Sequence, residues 1–272
     1  MTDKVIALSG TAGHGRLGMA AADRSRVMRR IASKATSLVI FVALLTFILL
    51  SHTPLRDMRW GVIPAYHDFL IRSLAMSWIV TLVSFLLSTP AAIILAFGRL
   101  SRHRWLRYPS MAVVEGVRII PELMIIFWIF FTAPVVIGQS LDKFTSGIIA
   151  LGVINAAYLT EAIRAGIQSV PSGLSLAGLG SGLKKWQVRL WIVLPIALWN
   201  MLPELRNRII SLFKLTSLLY LIGVREFFGA LININNREFA PFATMIIAGV
   251  VYFACAYVFE VCSRFLEPRH TG

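Results

Sequence analysis

The chain has 272 residues, of which 57% are hydrophobic and 15% charged, with 27 basic against 13 acidic side chains. A soluble domain carries about a quarter charged residues, which excludes a compact water-soluble fold and makes a bilayer the expected solvent. The net charge of +14 does not point to nucleic acid, because the basic residues cluster beside apolar segments, as Lys and Arg do on one side of membrane spans.

A span needs about 20 apolar residues. A basic segment, residues 1–34, contains Arg24, Arg26, Arg29, Arg30 and Lys34, and residues 35–55 then carry no formal charge. They read as an uncleaved N-terminal anchor, since no small-residue cleavage site stands out. Gly13-His14-Gly15-Arg16-Leu17-Gly18 fits GxGxxG, but the anchor begins too soon after it for a βαβ unit. The second span is expected over Ser73–Gly98. The third is Met111–Ile137, with Glu115, Arg118 and Glu122 in its first half. The fourth is Phe144–Thr160, the fifth Ile209–Val224 with Lys214 inside it, and the sixth Phe239–Phe259. The fold class is all-α, a polytopic transmembrane helical protein of about six spans.

Charge sets the orientation. With the N-terminus inside, 19 of the 27 basic residues fall in cytoplasmic segments, six in outer loops, and Arg118 and Lys214 within spans. Both termini are therefore expected in the cytoplasm. Cys255 and Cys262 lie seven apart in one apolar segment, two helical turns, too far to bridge. No disulfide or metal ligand set is indicated.

The connection after the fourth span carries most information. Ser169 before Pro171 reads as a helix start, and Gly182 suits a left-handed position at a helix end. A second helix then runs to Pro195. Gly178-Leu179-Gly180-Ser181-Gly182 is glycine-rich but is no P-loop, and a surface-lying connector is the plain reading of the segment.

In sequence detail the segment resembles the EAA loop of type I ATP-binding-cassette importer permeases, E-A-A-x3-G-x9-I-x-L-P. Gly182 and Ile192-Val193-Leu194-Pro195 keep its spacing. Further resemblances to the polar amino-acid branch (histidine, glutamine, arginine, opine) lie in Tyr158, Glu161, Gly166, Leu202-Pro203, Asn207, Lys214-Leu215-Thr216-Ser217 and Arg118-Ile119-Ile120-Pro121-Glu122. The resemblance covers residues 66–268, a type I permease domain. The chain departs from the pattern where Leu176 replaces the glutamate of the triplet and Gly178 its second alanine.

The resemblance implies a transport subunit with no ATPase site of its own, in the inner (plasma) membrane. Its implied partners are an ATPase dimer that binds the ATP, a second homologous or identical permease, and a periplasmic or extracellular substrate-binding protein. Ser169, Pro171, Gly173, Leu176, Ala177, Gly178, Gly182 and Pro195 would form the coupling helix and its supports. Charges within spans usually face a polar cavity. Glu122 of span three and Lys214 of span five, both spans entering from the cytoplasmic side, are expected at similar depth, about 16–20 Å in, near the middle of the bilayer. With Thr216 and Ser217 they form the expected substrate site, for a cationic amino acid or opine, although a structural ion pair is the plainer reading. The alternatives are a channel without an ATPase, or a membrane enzyme using His52, His67, Asp57 and Asp68, which show no ligand spacing.

Overall fold

The structure is a computed structural model, and it describes residues 59–264. The basic segment 1–34 and the anchor 35–55 lie outside the described residues, as do His52 and Asp57. Within the described residues the chain is helical and without strands. After a single turn at Val62–Ala65 come α1 (His67–Leu100), α2 (Arg104–Ile119), α3 (Glu122–Val136), α4 (Lys143–Gln168), α5 (Ser172–Gly180), α6 (Lys185–Ile222), α7 (Phe227–Glu238) and α8 (Pro241–Arg264). By length and apolarity α1, α4, α6 and α8 can each cross a membrane, and α2 with α3 makes a fifth only as a broken pair.

Helix α4 is the centre of the fold, with a core of Val80, Ile126, Leu151, Ile154, Leu212 and Leu219 joining it to α1, α3 and α6. It packs on α1 through small side chains. Ser84, Ser88, Ala92 and Ala96 of α1 are buried at four-residue spacing, a stripe that lets two helix backbones approach closely. Hydrogen bonds fix the register. Ser84 donates to the Ile148 carbonyl at 3.3 Å, Asn155 to the Ser88 hydroxyl at 2.8 Å, and the Thr160 hydroxyl lies 3.2 Å from the Ala92 carbonyl. These contacts advance together along both helices, so α1 and α4 run parallel.

Two expected spans are corrected. Span three is not one straight helix, because α2 and α3 meet at 104°. The residue before a proline avoids the helical region, and Ile120 is extended at φ −75°, ψ 134° ahead of Pro121. At 1.5 Å per residue each half reaches roughly 22–24 Å, short of the ~30 Å core. Span five begins far earlier than expected, since α6 runs for 38 residues from Lys185. Its first part contains a π-helical stretch, Val188–Val193, directly before Leu194 and Pro195. A widened turn accommodates a residue that has no N–H and whose ring crowds the carbonyl four back.

Sequence reasoning also missed α7, which falls in a stretch expected to be loop. Glu226 caps it, accepting from the Phe228 and Gly229 amides at 2.9 and 2.5 Å. The carboxylate is fully buried, and Tyr252 of α8 and Ser77 of α1 donate to it at 3.3 and 3.4 Å. Burial pushes its carboxyl above the ordinary range.

Candidate functional site

Three helices, α3, α4 and α6, border an open pocket of about 380 Å3 lined by Glu122, Tyr158, Arg208, Ser211, Lys214 and Ser217, with Leu215 and Leu218. Three of the four expected site residues, Glu122, Lys214 and Ser217, therefore come together. Thr216 does not. It is fully buried, its hydroxyl donates to the Phe213 carbonyl at 2.8 Å, and it lies where α6 tightens to a 3-10 helix over Thr216–Ile222. Tightening rotates successive side chains away from the positions an α-helix would give them.

The route by which Glu122 reaches the cavity differs from the sequence count. Glu122 is the first residue of α3, directly after the break, so the depth counted from Met111 has the wrong origin. The same holds for Lys214, 29 residues beyond the start of α6. Glu122 and Lys214 do not form an ion pair, and the Tyr158 hydroxyl lies 3.5 Å from Glu122 Oε1. The Ser217 hydroxyl donates to the Lys214 carbonyl at 2.8 Å and keeps its oxygen lone pairs as acceptors.

Tyr158 is the pivot of the site. The guanidinium of Arg208 stands 4.3 Å from its ring centroid and that of Arg118 5.5 Å away, both within cation–π range. Tyr158 and Arg118 also line a second cavity of about 720 Å3 between α4 and α6, with Glu161, Ser169, Asn200 and Glu204. Tyr158 is the residue common to both linings. Beyond it lies a charged cluster at the basic end of the bundle. Arg99 bonds Glu115 at 2.9 Å and Glu161 at 3.4 Å, and Glu161 bonds Arg164 at 2.6 Å. Arg208 and Ser211 were missed because the sequence reading counted Arg208 with the loop charges. Ser211 and Arg208 stand three and six residues before Lys214, a helical spacing that becomes a signal only once the helix is known to reach back past them.

The connection α5–α6 sits at this same end. Gly182 turns left-handed at φ +86°, as its placement at a helix end suggests, and a side chain there would be strained. Ser169 does not start α5. It closes α4, its hydroxyl donating to the Gly166 carbonyl at 2.7 Å and accepting from Asn200 at 2.9 Å, and α5 begins at Pro171 without a side-chain cap. Gly178 is buried, and a Cβ there would come within 2.6 Å of Ile192 Cδ1. The residue that departs from the alanine of the motif is the one this packing demands. Gly173 and Ala177 are exposed, and so are Leu174, Leu176 and Leu179, Leu176 to 67%. Pro195 is exposed where the π-stretch returns to α-helix. Of the enzyme candidates, His67 meets its neighbour Asp68 at 3.2 Å on the surface.

Residues 88–272 match a family described as binding-protein-dependent transport system inner membrane component. Over 220 residues the chain is 30% identical to the glutamate/aspartate import permease protein GltK of Escherichia coli O157:H7, covering 78% of this chain and 98% of that protein. It is 36% identical over 162 residues to the probable glutamine ABC transporter permease protein GlnP of Bacillus subtilis, covering 58% and 74%. A crystal structure of an amino acid ABC transporter with histidines has a TM-score of 0.74 at 24% identity, covering 78% of this chain and 99% of that one. At that identity the likeness is one of fold.

Proposed function

The chain belongs to the binding-protein-dependent transport system inner membrane component family, and from that premise we propose that it is the permease subunit of an ATP-binding-cassette importer for polar amino acids or opines. The observation that carries this reading is the pocket among α3, α4 and α6, where a carboxylate, two cations and hydroxyls converge between two helices long enough to span a bilayer, α4 and α6, and one half of a broken pair, α3. A zwitterion asks for that chemistry, its ammonium toward Glu122 and its carboxylate toward Lys214. Glu122 alone suggested a cationic cargo. Arg208 adds a second positive charge to the same wall.

The ATP is hydrolysed by a separate ATPase dimer that seats α5, whose exposed Leu174, Leu176 and Leu179 offer it an apolar contact in place of the glutamate of the motif. A second permease, identical or homologous, and an external binding protein complete the assembly. The anchor 35–55 precedes the permease domain 66–268, and both termini face the cytoplasm, which puts the basic ends of α1, α4 and α6 inside.

Uptake by the complex reconstituted with its ATPase and binding protein, scanned across labelled amino acids and opines, tests the proposal. ATP-dependent uptake of one polar class is expected, and Gly182→Asp is expected to hydrolyse ATP while uptake falls by at least about tenfold. Uptake that survives removal of the ATPase would instead mean a channel.

A further inference from the structure

The charged groups of the bundle divide into two kinds. At the basic end, Arg99 holds Glu115 and Glu161, Arg118 reaches Glu115 at 3.5 Å, and Arg164 holds Glu161. Every one of these guanidinia has a carboxylate. Arg208 and Lys214, which line the 380 Å3 cavity, have none within the 4.0 Å of an ion pair. Glu122 and Glu204 act on Arg208 only through space. The Nε of Arg208 is buried, and no protein group accepts its hydrogen bond. Its one close partner is the face of the Tyr158 ring.

Arg208 is half-buried, and the part of its guanidinium that is shut off from solvent, Nε, carries a desolvation cost that no partner charge offsets. Arginine is also the side chain whose planar fork fits a carboxylate with two parallel bonds. The pocket wall therefore holds two cations without an ion-pair partner, the half-buried Arg208 and the exposed Lys214, six residues or about 9 Å of helix rise apart with Ser211 between them, and one carboxylate, Glu122.

We propose that Arg208 is a cargo-binding residue, and that the cargo is an amino acid or opine bearing two carboxylates and one ammonium group. The ammonium sits at Glu122 and the Tyr158 hydroxyl. One carboxylate is taken by Lys214 with Ser217, the other by the guanidinium of Arg208 with Ser211. Such a cargo neutralises the wall, whereas a cationic amino acid would add a third positive charge to it. This inference rests on the cavity reading given under the proposed function.

The test measures equilibrium binding of labelled glutamate and glutamine to the solubilised permease–ATPase complex without its binding protein, together with one opine of the same charge pattern. Glutamate and glutamine differ in one carboxylate, so their ratio isolates the second anionic group. Wild type is expected to prefer a dicarboxylic ligand. Arg208→Gln should lower the glutamate-to-glutamine ratio by at least about tenfold, and Arg208→Lys should keep it within about threefold, since the charge remains. An unchanged ratio in folded Arg208→Gln overturns the inference, as does a wild type that prefers arginine or glutamine. If Arg208→Gln does not insert, Lys214→Met carries the same comparison on the other cation, with loss of the preference expected and an unchanged ratio overturning it. Should Glu122→Gln and Lys214→Met leave the binding of every amino acid untouched, the cavity reading itself fails, a result distinct from failure at Arg208 alone.

Discussion

Helix α4 has two seams that differ in every physical respect. Toward α1 it meets serines and alanines, and the contact is close, parallel and tied by hydrogen bonds of 2.8 to 3.3 Å, two to backbone carbonyls and one to a serine hydroxyl. Toward α6 it packs on Met201, Leu212 and Leu219, but it also meets tryptophan, arginine and asparagine, and two pockets open along that seam. Small residues let backbones approach until dispersion and hydrogen bonding hold the pair, while large polar ones keep a gap that a ligand can enter. One helix thus serves as scaffold on one side and as working surface on the other, and the choice is made residue by residue in α1 and α6, not in α4.

The comparison can be broken most sharply at Ala92, which is fully buried in the first seam. Ala92→Leu forces extra volume into a close-packed contact and is expected to cost about 1–3 kcal/mol. The temperature at which the solubilised protein loses its monodisperse state should fall by several degrees. A shift within about one degree would show that the seam can open, and the contrast would collapse.

A smaller effect on stability, but a large one on transport, is expected in the second seam. Tyr158→Ala removes two cation–π contacts at a half-buried ring, each of about 0.5 kcal/mol, and joins the two pockets. Folding should survive, and uptake in proteoliposomes should drop by about tenfold, while Tyr158→Phe, which keeps the ring but not the hydroxyl beside Glu122, should fall between that variant and wild type. Equal thermal losses from Tyr158→Ala and Ala92→Leu would make the two seams alike.

The smallest effect lies at the start of α4, which both seams share. Asp142 accepts hydrogen bonds from Thr145 and Phe144, and this holds its carboxyl below the ordinary carboxylate range. A depressed value in the folded state stabilises above the unfolded value and is lost as the pH falls toward the folded one. Amide protection in the first turn of α4 should therefore decline only below about pH 4. Asp142→Asn, which caps without titrating, should flatten that decline.

Hydropathy made α1, α4 and α8 legible, because their apolar runs are long and their charges sit at the ends. It failed at the break before Pro121, since Ile119 and Ile120 are as apolar as the helix they interrupt. It failed again in α6, where Glu204, Arg206 and Arg208 looked like loop charges although they belong to one continuous helix. Glu122 and Lys214 stood out as charges among apolar neighbours, and the fold brings them to one cavity. Thr216 was misplaced because a change from α to 3-10 geometry leaves no mark in composition. Arg208 could not be recognised as a site residue until the helix carrying it was known to begin at Lys185. Glu226 escaped for a similar reason, since nothing local says that its carboxylate is buried.

Glu226 also imposes an order on assembly. The groups that satisfy it come from Ser77, 149 positions earlier in the chain, and Tyr252, 26 positions later. As the polypeptide emerges from the ribosome, α1 is already available when Glu226 is made, but the tyrosine is not. For the time needed to add α8, the carboxylate has only its own helix amides and one serine, a state that a hydrated surface tolerates and an apolar interior does not. The polar shell around Glu226 is therefore complete only when α8, the last of the described helices, packs against it. A nascent chain arrested before Tyr252 would expose an unsatisfied acid at the very point where quality-control machinery can distinguish a finished subunit from a fragment.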